Sequence, residues 1–436
     1  MTASKIRRSV LALAISAALG LSGAAQATNG FFSHGYGTQT KGMGGVGMAI
    51  SHDSYAPGTN PAGIAGMETR FDGSLAYFRP ERFYEAGDPQ FQPPPPNGFP
   101  LRPGKVNSNS ESFFIPSLGY VRQIDADRSW GIALLANGGL NTDYPAFDNP
   151  NFCPPQSPQK GTFCFGEAGV NLEQLALIPT YAQRFADGRV SVGVSPIISF
   201  QRFRAKGLQA FSGFSADPEN LTNSSTDSDF GFGGQIGFQA QLADNVRVGA
   251  NYRSKIRGTT FDDFSGLFAE SGDLDIPATW GLGIAVEVTP RITVAADYQR
   301  INYSDVPAIN NPFSNLFDGN LLGEDNGPGF GWEDIDIFKI GAEFAGNNGW
   351  TWRAGYNRGE NPIPRSEVLF NILAPGVMED HFTVGFSKTI DSRSAIHLAA
   401  MYAPSESITG TNPLDGQTIK LEMEQYELEI GYSYRF

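Results

Sequence analysis

The chain is short of charge, histidine and cysteine. Only 17% of its 436 residues are charged, and the 45 acids against 31 bases leave a formal net charge of −14. That balance argues against a nucleic-acid partner. The four histidines, His34, His52, His381 and His397, are scattered, and neither G-x-S-x-G nor H-E-x-x-H occurs. An enzyme is not expected; a Ser–His pair assembled across distant strands is the one hydrolytic arrangement left open. After the N-terminal stretch no segment reaches 18 consecutive apolar residues, so no membrane-spanning helix is expected. No Pro/Ser linker divides the chain, and no repeat in the solenoid range is present.

The two cysteines, Cys153 and Cys164, share one Pro-rich stretch, "NPNFCPPQSPQKGTFCFGE". An even pair in an exported chain favours a disulfide, and closing so short a loop stabilises it by about 2–3 kcal/mol in the chain-entropy model. A metal pair is the alternative, but no histidine lies nearby. No metal and no cofactor are expected.

Export itself is read from "MTASKIRRSVLALAISAALGLSGAAQATNG". Lys5, Arg7 and Arg8 precede the apolar run Val10 to Leu21, and Ala25-Gln26-Ala27 is a small-x-small cleavage signal. Residues 1–27 are taken as a signal peptide, with Thr28 as the mature N-terminus. A single membrane anchor is the alternative.

What the chain has in abundance is glycine and aromatics: 52 Gly, 33 Phe and 15 Tyr. That composition suits many short strands. In "SDFGFGGQIGFQAQL" the even positions carry Phe230, Phe232, Ile236, Phe238 and Leu242, and the odd positions carry glycine and glutamine. Fourteen such strands are predicted, at 69–86, 113–124, 128–140, 171–185, 189–206, 228–242, 245–260, 274–289, 291–302, 333–345, 350–360, 378–390, 393–404 and 418–436. Tight turns such as "ADG", "TP" and "GNNG" alternate strictly with long connections. This is the pattern of a transmembrane β-barrel, with short periplasmic turns and longer external loops. Backbone groups in lipid need internal partners, and for β-structure only a closed sheet supplies them. The fold class expected is therefore all-β: a 14-stranded antiparallel transmembrane β-barrel in the bacterial outer membrane.

Residues 28–66 do not alternate. Gly42, Gly44, Gly45 and Gly47 crowd together as in a phosphate-binding turn, but the strand before, the helix after and the Lys-Ser/Thr pair are missing. A compact plug inside the barrel explains them better, since glycines let a chain turn tightly against the wall. The expected organisation is signal peptide 1–27, N-terminal hatch 28–66 and barrel 67–436.

At this point the residues carry a resemblance. "GYGTQTKGMGGVGMAISHDSYAPGTNPAGIAG" resembles the N-terminal hatch of the FadL/TodX (OMPP1) family of outer-membrane transporters for long-chain fatty acids and other hydrophobic compounds. The glycine run ending at Gly47, then Asp53, then Asn60-Pro61-Ala62 carry it. The resemblance implies fourteen strands, a lumenal hatch, external loops that catch the ligand, and an inward kink of the third strand that opens the wall sideways. The terminal Phe436, on an alternating aromatic strand, is similar to the signal read by the barrel assembly machinery. Besides that machinery, the implied partners are a hydrophobic small-molecule ligand, outer-membrane lipid and lipopolysaccharide. A monomer is expected.

Candidate site residues follow. Leu208, Phe211 and Phe214 in one long loop, and Phe261, Phe264, Leu267 and Phe268 on one face of a short helix in the next, are expected to form an external groove; the alternative is that they close the mouth against each other. Phe313, Leu316 and Phe317 offer a similar face as a lid. Alternation in the third strand runs through Trp130, Ile132 and Leu134 and breaks at Asn137-Gly138-Gly139, the expected lateral gate. Arg202, Arg204, Lys206 and Arg253 are expected as lumen or rim charges. The cysteine loop, lying outside the barrel, is expected to leave transport unaffected when its disulfide is lost. The function expected is passive uptake of hydrophobic compounds, fatty acids foremost. Monoaromatic hydrocarbons, alkanes, or a gated pore for small hydrophilic solutes are the alternatives.

Overall fold

The computed structural model describes residues 28–90 and 101–436. The signal-peptide expectation lies outside the described residues. Fourteen antiparallel strands form the wall: β1 Arg70–Ala86, β2 Phe113–Gln123, β3 Arg128–Asn141, β4 Gly169–Phe185, β5 Val190–Lys206, β6 Asp227–Ala243, β7 Val246–Arg253, β8 Thr279–Thr289, β9 Ile292–Ile301, β10 Ile335–Ala345, β11 Trp350–Gly359, β12 Asp380–Thr389, β13 Ser394–Thr411 and β14 Thr418–Arg435. Each pairs with its chain neighbour, and β14 closes on β1 from Arg70↔Arg435 to Ala86↔Ile419. A four-residue strand, Gly104–Asn107, extends the outer end of β1.

Alternation decides which face meets lipid. Phe230, Phe232, Ile236 and Leu242 of β6 point outward and are more than half exposed, as are Val384 of β12 and Ile430 of β14. A band of exposed apolar side chains on a closed sheet is what lipid contact requires.

Three strands depart from their expected limits by more than two residues, and one of them, β8, begins at Thr279 instead of 274. β7 stops at Arg253 instead of 260, because the chain beyond it leaves the ladder for isolated bridges, Phe232↔Arg257 and Ile256↔Ile276. β13 runs on to Thr411 across Pro404, where the register with β14 shifts between Ala403 and Glu406. A proline has no N–H to give the ladder, so the strand bulges and continues.

The N-terminal segment, residues 28–66, is enclosed by the wall. Thr38 Oγ1 donates to Glu429 on β14 at 2.6 Å, and Gly44 N to Thr383 Oγ1 on β12 at 2.8 Å. Gly47 N and Met48 N donate to Asp297 on β9 at 2.7 and 3.0 Å. Ser54 N and Oγ reach Asp72 on β1 at 2.9 and 2.6 Å. Side chains of β6 and β7 donate back: Gln235 to the Pro57 carbonyl at 2.6 Å, Asn251 to Thr59 at 2.7 Å and Arg253 to Gly58 at 2.8 Å. The segment can lie this close to the wall because several neighbouring inward positions are glycine. A Cβ at Gly249 would lie 1.9 Å from the Met48 carbonyl oxygen, and one at Gly355 2.1 Å from the Met43 carbonyl carbon.

Candidate functional site

The outer mouth is filled by apolar side chains from five long loops. Phe203, at the top of β5, is the floor: its ring centroid lies 4.7 Å from Phe268, 4.8 Å from Phe264 and 5.8 Å from Phe261. Above it lies a narrow apolar cleft, nearly closed at about 40 Å³ and well short of the roughly 300–1,000 Å³ of small-molecule pockets. Leu208, Phe211, Leu267 and Phe268 line it, so both predicted loops contribute. Phe261 and Phe264 are fully buried against Phe203 and do not face it, and Phe214 sits half-buried at the edge. The expected groove is therefore lined by four of these seven residues, while the other three pack behind it or at its edge. Most of these residues are covered, because the loops 302–334 and 360–379 close over them.

The expected short helix is corrected. Asp262–Phe264 is a single 3₁₀ turn, and the turn after it, Ala269–Gly272, contains left-handed Glu270 and Ser271. The loop instead closes on itself, with Phe261 N donating to the Gly272 carbonyl at 2.9 Å.

Sequence reasoning missed the other half of the cleft: Leu322, Phe330, Phe370 and Leu373. Phe370 stacks edge-on against Phe211 at 5.4 Å and against Phe313 at 4.8 Å. A signal was available in "VLFNILAPGVM", an uncharged apolar run inside a connection too long for a turn. Of the expected lid face, Phe313 is buried behind Phe370 and Phe317 is exposed. The second loop contributes too. Cys153 and Cys164 are disulfide-bonded, and neighbouring Phe163 packs edge-on against Phe211 at 5.2 Å.

Below the cleft, β3 parts from β2. The two pair only from Ser129↔Gln123 to Leu134↔Leu118. Beyond Leu134, β3 continues to Asn141 on β4 alone, with a register shift between Ala136 and Gly138. The predicted break at Asn137-Gly138-Gly139 thus coincides with a bulge. The N-terminal segment supplies the missing partner: Phe32 bridges Gly138, and Gly139 N donates to the Phe31 carbonyl at 3.0 Å. A Cβ at Gly138 would lie 1.7 Å from that same oxygen, so only glycine fits. Tyr55 Oη donates at 3.2 Å to Ser117, just beyond the last β2 residue that pairs with β3. Phe31 packs on Tyr303 and Trp332 at 5.4 and 6.0 Å, and Tyr303 Oη donates to the Asn29 carbonyl at 2.7 Å. The tip Asn29–Phe32 therefore touches both the mouth loops and the β3 bulge.

Asn60-Pro61-Ala62 lies at the opposite end of the segment. Asn60 is fully buried; its Nδ2 faces the carbonyls of Met48, Phe238 and Ala250 at 2.7, 3.0 and 3.3 Å, and its Oδ1 accepts from Ala62 N at 3.0 Å. Asp53 accepts from Tyr55 N at 3.0 Å; burial, and then the negative Asp72, push its carboxyl above the ordinary range. Lys41 reaches both Glu427 and Glu429 at 2.8 Å. Gly42 approaches Gly385 of β12, and Gly44 and Gly45 take positive φ against Tyr356 and His34. All the predicted hatch residues lie in this segment, held by the wall.

The expected cations divide. Lys206 pairs with Asp143 and Glu167 at 2.6 and 2.7 Å, and Arg202 with Glu173 at 3.6 Å, both at the rim; Arg204 is exposed. Arg253 faces the lumen and, with Lys339, Phe32 and Tyr36, lines a small cavity of about 20 Å³ between the N-terminal segment and the wall. A larger polar cavity of about 680 Å³, lined by Arg70, Arg184 and Arg247, opens at the end of the barrel that carries the tight turns.

A closed barrel with lipid-facing apolar strands, a packed lumen and an apolar mouth defines a class: an outer-membrane channel for hydrophobic compounds. Comparison with known proteins agrees. The profile of the outer membrane protein transport protein family (OMPP1/FadL/TodX) matches residues 19–436, and the chain belongs to that family, which comprises transport channels and not enzymes. Among solved structures it is similar to the toluene transporter TodX of P. putida, with TM-score 0.67 and 19% identity over 92% of this chain and 99% of that one. A FadL homologue of Pseudomonas aeruginosa gives TM-score 0.67 and 15% identity, covering 93% of this chain and 100% of that one. The Ralstonia pickettii toluene transporter TbuX gives 0.62 and 19%, covering 92% and 99%. No curated protein sequence matched the chain.

Proposed function

We propose that the protein carries hydrophobic compounds, long-chain fatty acids foremost, passively across the outer membrane. The mouth cleft captures the ligand. Residues 28–66 act as a hatch whose tip, Asn29–Phe32, shifts to let it pass. The ligand then leaves sideways between β2 and β3 into the membrane. One observation carries this reading: past Leu134, β3 has no β2 partner and is covered by Phe31 and Phe32 instead. A break in strand pairing within lipid is costly unless protein covers the freed groups. A movable cover on such a break makes a door. Sideways exit also spares apolar surface the aqueous periplasm. A carboxylate head reaching the inner cavity meets Arg253 and Lys339.

The test is Gly138→Glu, whose side chain must take the space of the Phe31 carbonyl and fill the kink. In protein that assembles normally, as judged by heat-modifiable migration, uptake of labelled oleate is expected to collapse while binding at the mouth persists. Full uptake would overturn the lateral route and leave a path down the barrel axis.

A second reading, transport of monoaromatic hydrocarbons, is favoured by the rings of Phe203, Phe211, Phe268, Phe330 and Phe370 around the cleft. Growth of a deletion strain on oleate and on toluene separates the two.

A further inference from the structure

The Cys153–Cys164 loop has no assigned part in the channel, and as an external loop it was expected to be dispensable. Its packing argues otherwise. Phe163, next to Cys164, is buried, and its ring meets Phe211 edge-on at 5.2 Å. Phe211 lines the cleft and is held on another side by Phe370. The disulfide loop, the loop after β5 and the loop after β11 thus meet in one row of rings, Phe163–Phe211–Phe370.

The loop is built to hold Phe163 in place. Thr162 Oγ1, one residue before, accepts from Tyr84 Oη at 3.0 Å, which ties the loop to the top of β1. Cys164, one residue after, takes φ +70°, a conformation uncommon for a residue with a side chain. The disulfide to Cys153 constrains that residue. Asn149 Nδ2 donates to the Gly161 carbonyl at 3.1 Å, and Tyr144 Oη crosses to the Ile372 carbonyl at 2.8 Å. Phe163 is therefore bracketed by a hydrogen bond to the wall on one side and a covalent crosslink on the other. A ring fixed from behind loses little freedom when a ligand packs on its front, so a braced Phe211 binds more tightly than a mobile one.

We propose that the Cys153–Cys164 loop is a ligand-positioning element: its disulfide fixes Phe163 against Phe211 and so shapes the wall of the capture cleft. The inference rests on the mouth cleft being the capture site. Phe163 is a positioning residue, acting through Phe211.

The experiment measures binding of 11-(dansylamino)undecanoic acid to the purified full-length protein, with heat-modifiable migration as the check on assembly. Phe163→Ala and the pair Cys153→Ala/Cys164→Ala are each expected to weaken binding about tenfold, and all three changes together to weaken it no further. Phe163→Leu, which restores apolar bulk, is expected to recover most of the affinity. Wild-type affinity in either Phe163→Ala or the cysteine pair would overturn the proposal, as would additive losses, which would mean that the disulfide does not act through Phe163. Failure of Phe163→Leu to recover binding would overturn it too. A parallel variant, Leu208→Ala/Phe268→Ala, tests the cleft itself. If that variant binds weakly while Phe163→Ala does not, only the brace fails; if it binds normally, the cleft reading fails and the brace with it.

Discussion

Asn60→Asp removes the best-defined latch on the N-terminal segment with almost no change of shape. The wild-type amide donates toward the carbonyls of Met48, Phe238 and Ala250 and accepts from Ala62 N. An NH₂ has two hydrogens, so these contacts amount to two donated bonds and one accepted. The two donated bonds span the segment and the wall, since Phe238 and Ala250 belong to β6 and β7. At roughly 0.5–1.5 kcal/mol per bond, plus the cost of buried carbonyls left facing a carboxylate oxygen, the latch weakens by about 2–4 kcal/mol. At about 1.4 kcal/mol per tenfold, the released state becomes roughly 30- to 700-fold more populated. The barrel should survive, because its ladder closes without the segment. The assay is planar-bilayer conductance on refolded, heat-modifiable protein. Wild type is expected to conduct little, since the segment packs the lumen; steady wild-type conductance would instead favour the gated-pore alternative. Asn60→Asp is expected to show frequent open bursts. Gly237→Ala attacks the same latch from the wall, because its Cβ would lie 2.0 Å from Asn60 Oδ1. Wild-type conductance and uptake in both variants would refute the latch.

Lys41→Met should release the segment from the other side, since it strands Glu427 and Glu429 without their shared cation. Breaking a buried pair costs about 3–5 kcal/mol, and adding Glu427→Gln and Glu429→Gln should restore low conductance if the stranded charge is the cause. The pH dependence of capture should come from Asp273, in the loop that supplies Leu267 and Phe268. Burial, and then the charge of Asp275, raise its carboxyl to about 7. A raised carboxyl favours the proton-bound fold, so loop stability is full below the ordinary carboxylate range and is lost as pH rises through about 7. Dansyl-acid binding is therefore expected to weaken between pH 5.5 and 8.5, and Asp273→Asn to flatten that profile; an unchanged slope in Asp273→Asn would assign the effect elsewhere.

The wall was legible because lipid imposes a period of two on every strand. Phe230, Phe232 and Ile236 could be assigned outward without knowing any partner, since only one face can meet hydrocarbon. The limits failed where tertiary geometry intervened, at the end of β7 and the start of β8, and across Pro404 in β13. The cleft was half legible for the opposite reason. Leu208 and Phe211 announced themselves as apolar residues in a polar loop, but Phe370 and Phe330 reach the same cleft from loops far along the chain. No local period links them. Phe163 was hidden further, because its importance lies in touching Phe211 and not in its own surroundings.

The glycines answer to two rules at once, which is why the sequence alone misleads about them. In the N-terminal segment they resemble a phosphate cradle, yet Gly44 presses on the Tyr356 backbone and Gly47 donates to Asp297. The matching glycines lie in the wall. Gly193 and Gly237 sit under Asn60-Pro61, Gly249 under Met48, and Gly355 under Met43. On a strand's inward face an absent side chain reads as mere smallness. Here each absence makes room for a particular stretch of the segment, so the wall carries a negative imprint of residues 42–61. The same logic extends to β3. Gly138 is a strand glycine whose space is taken by the Phe31 carbonyl of the tip, at the place where β3 has lost β2. The segment and the opening are therefore fitted to each other, and a change at either one should be felt at the other.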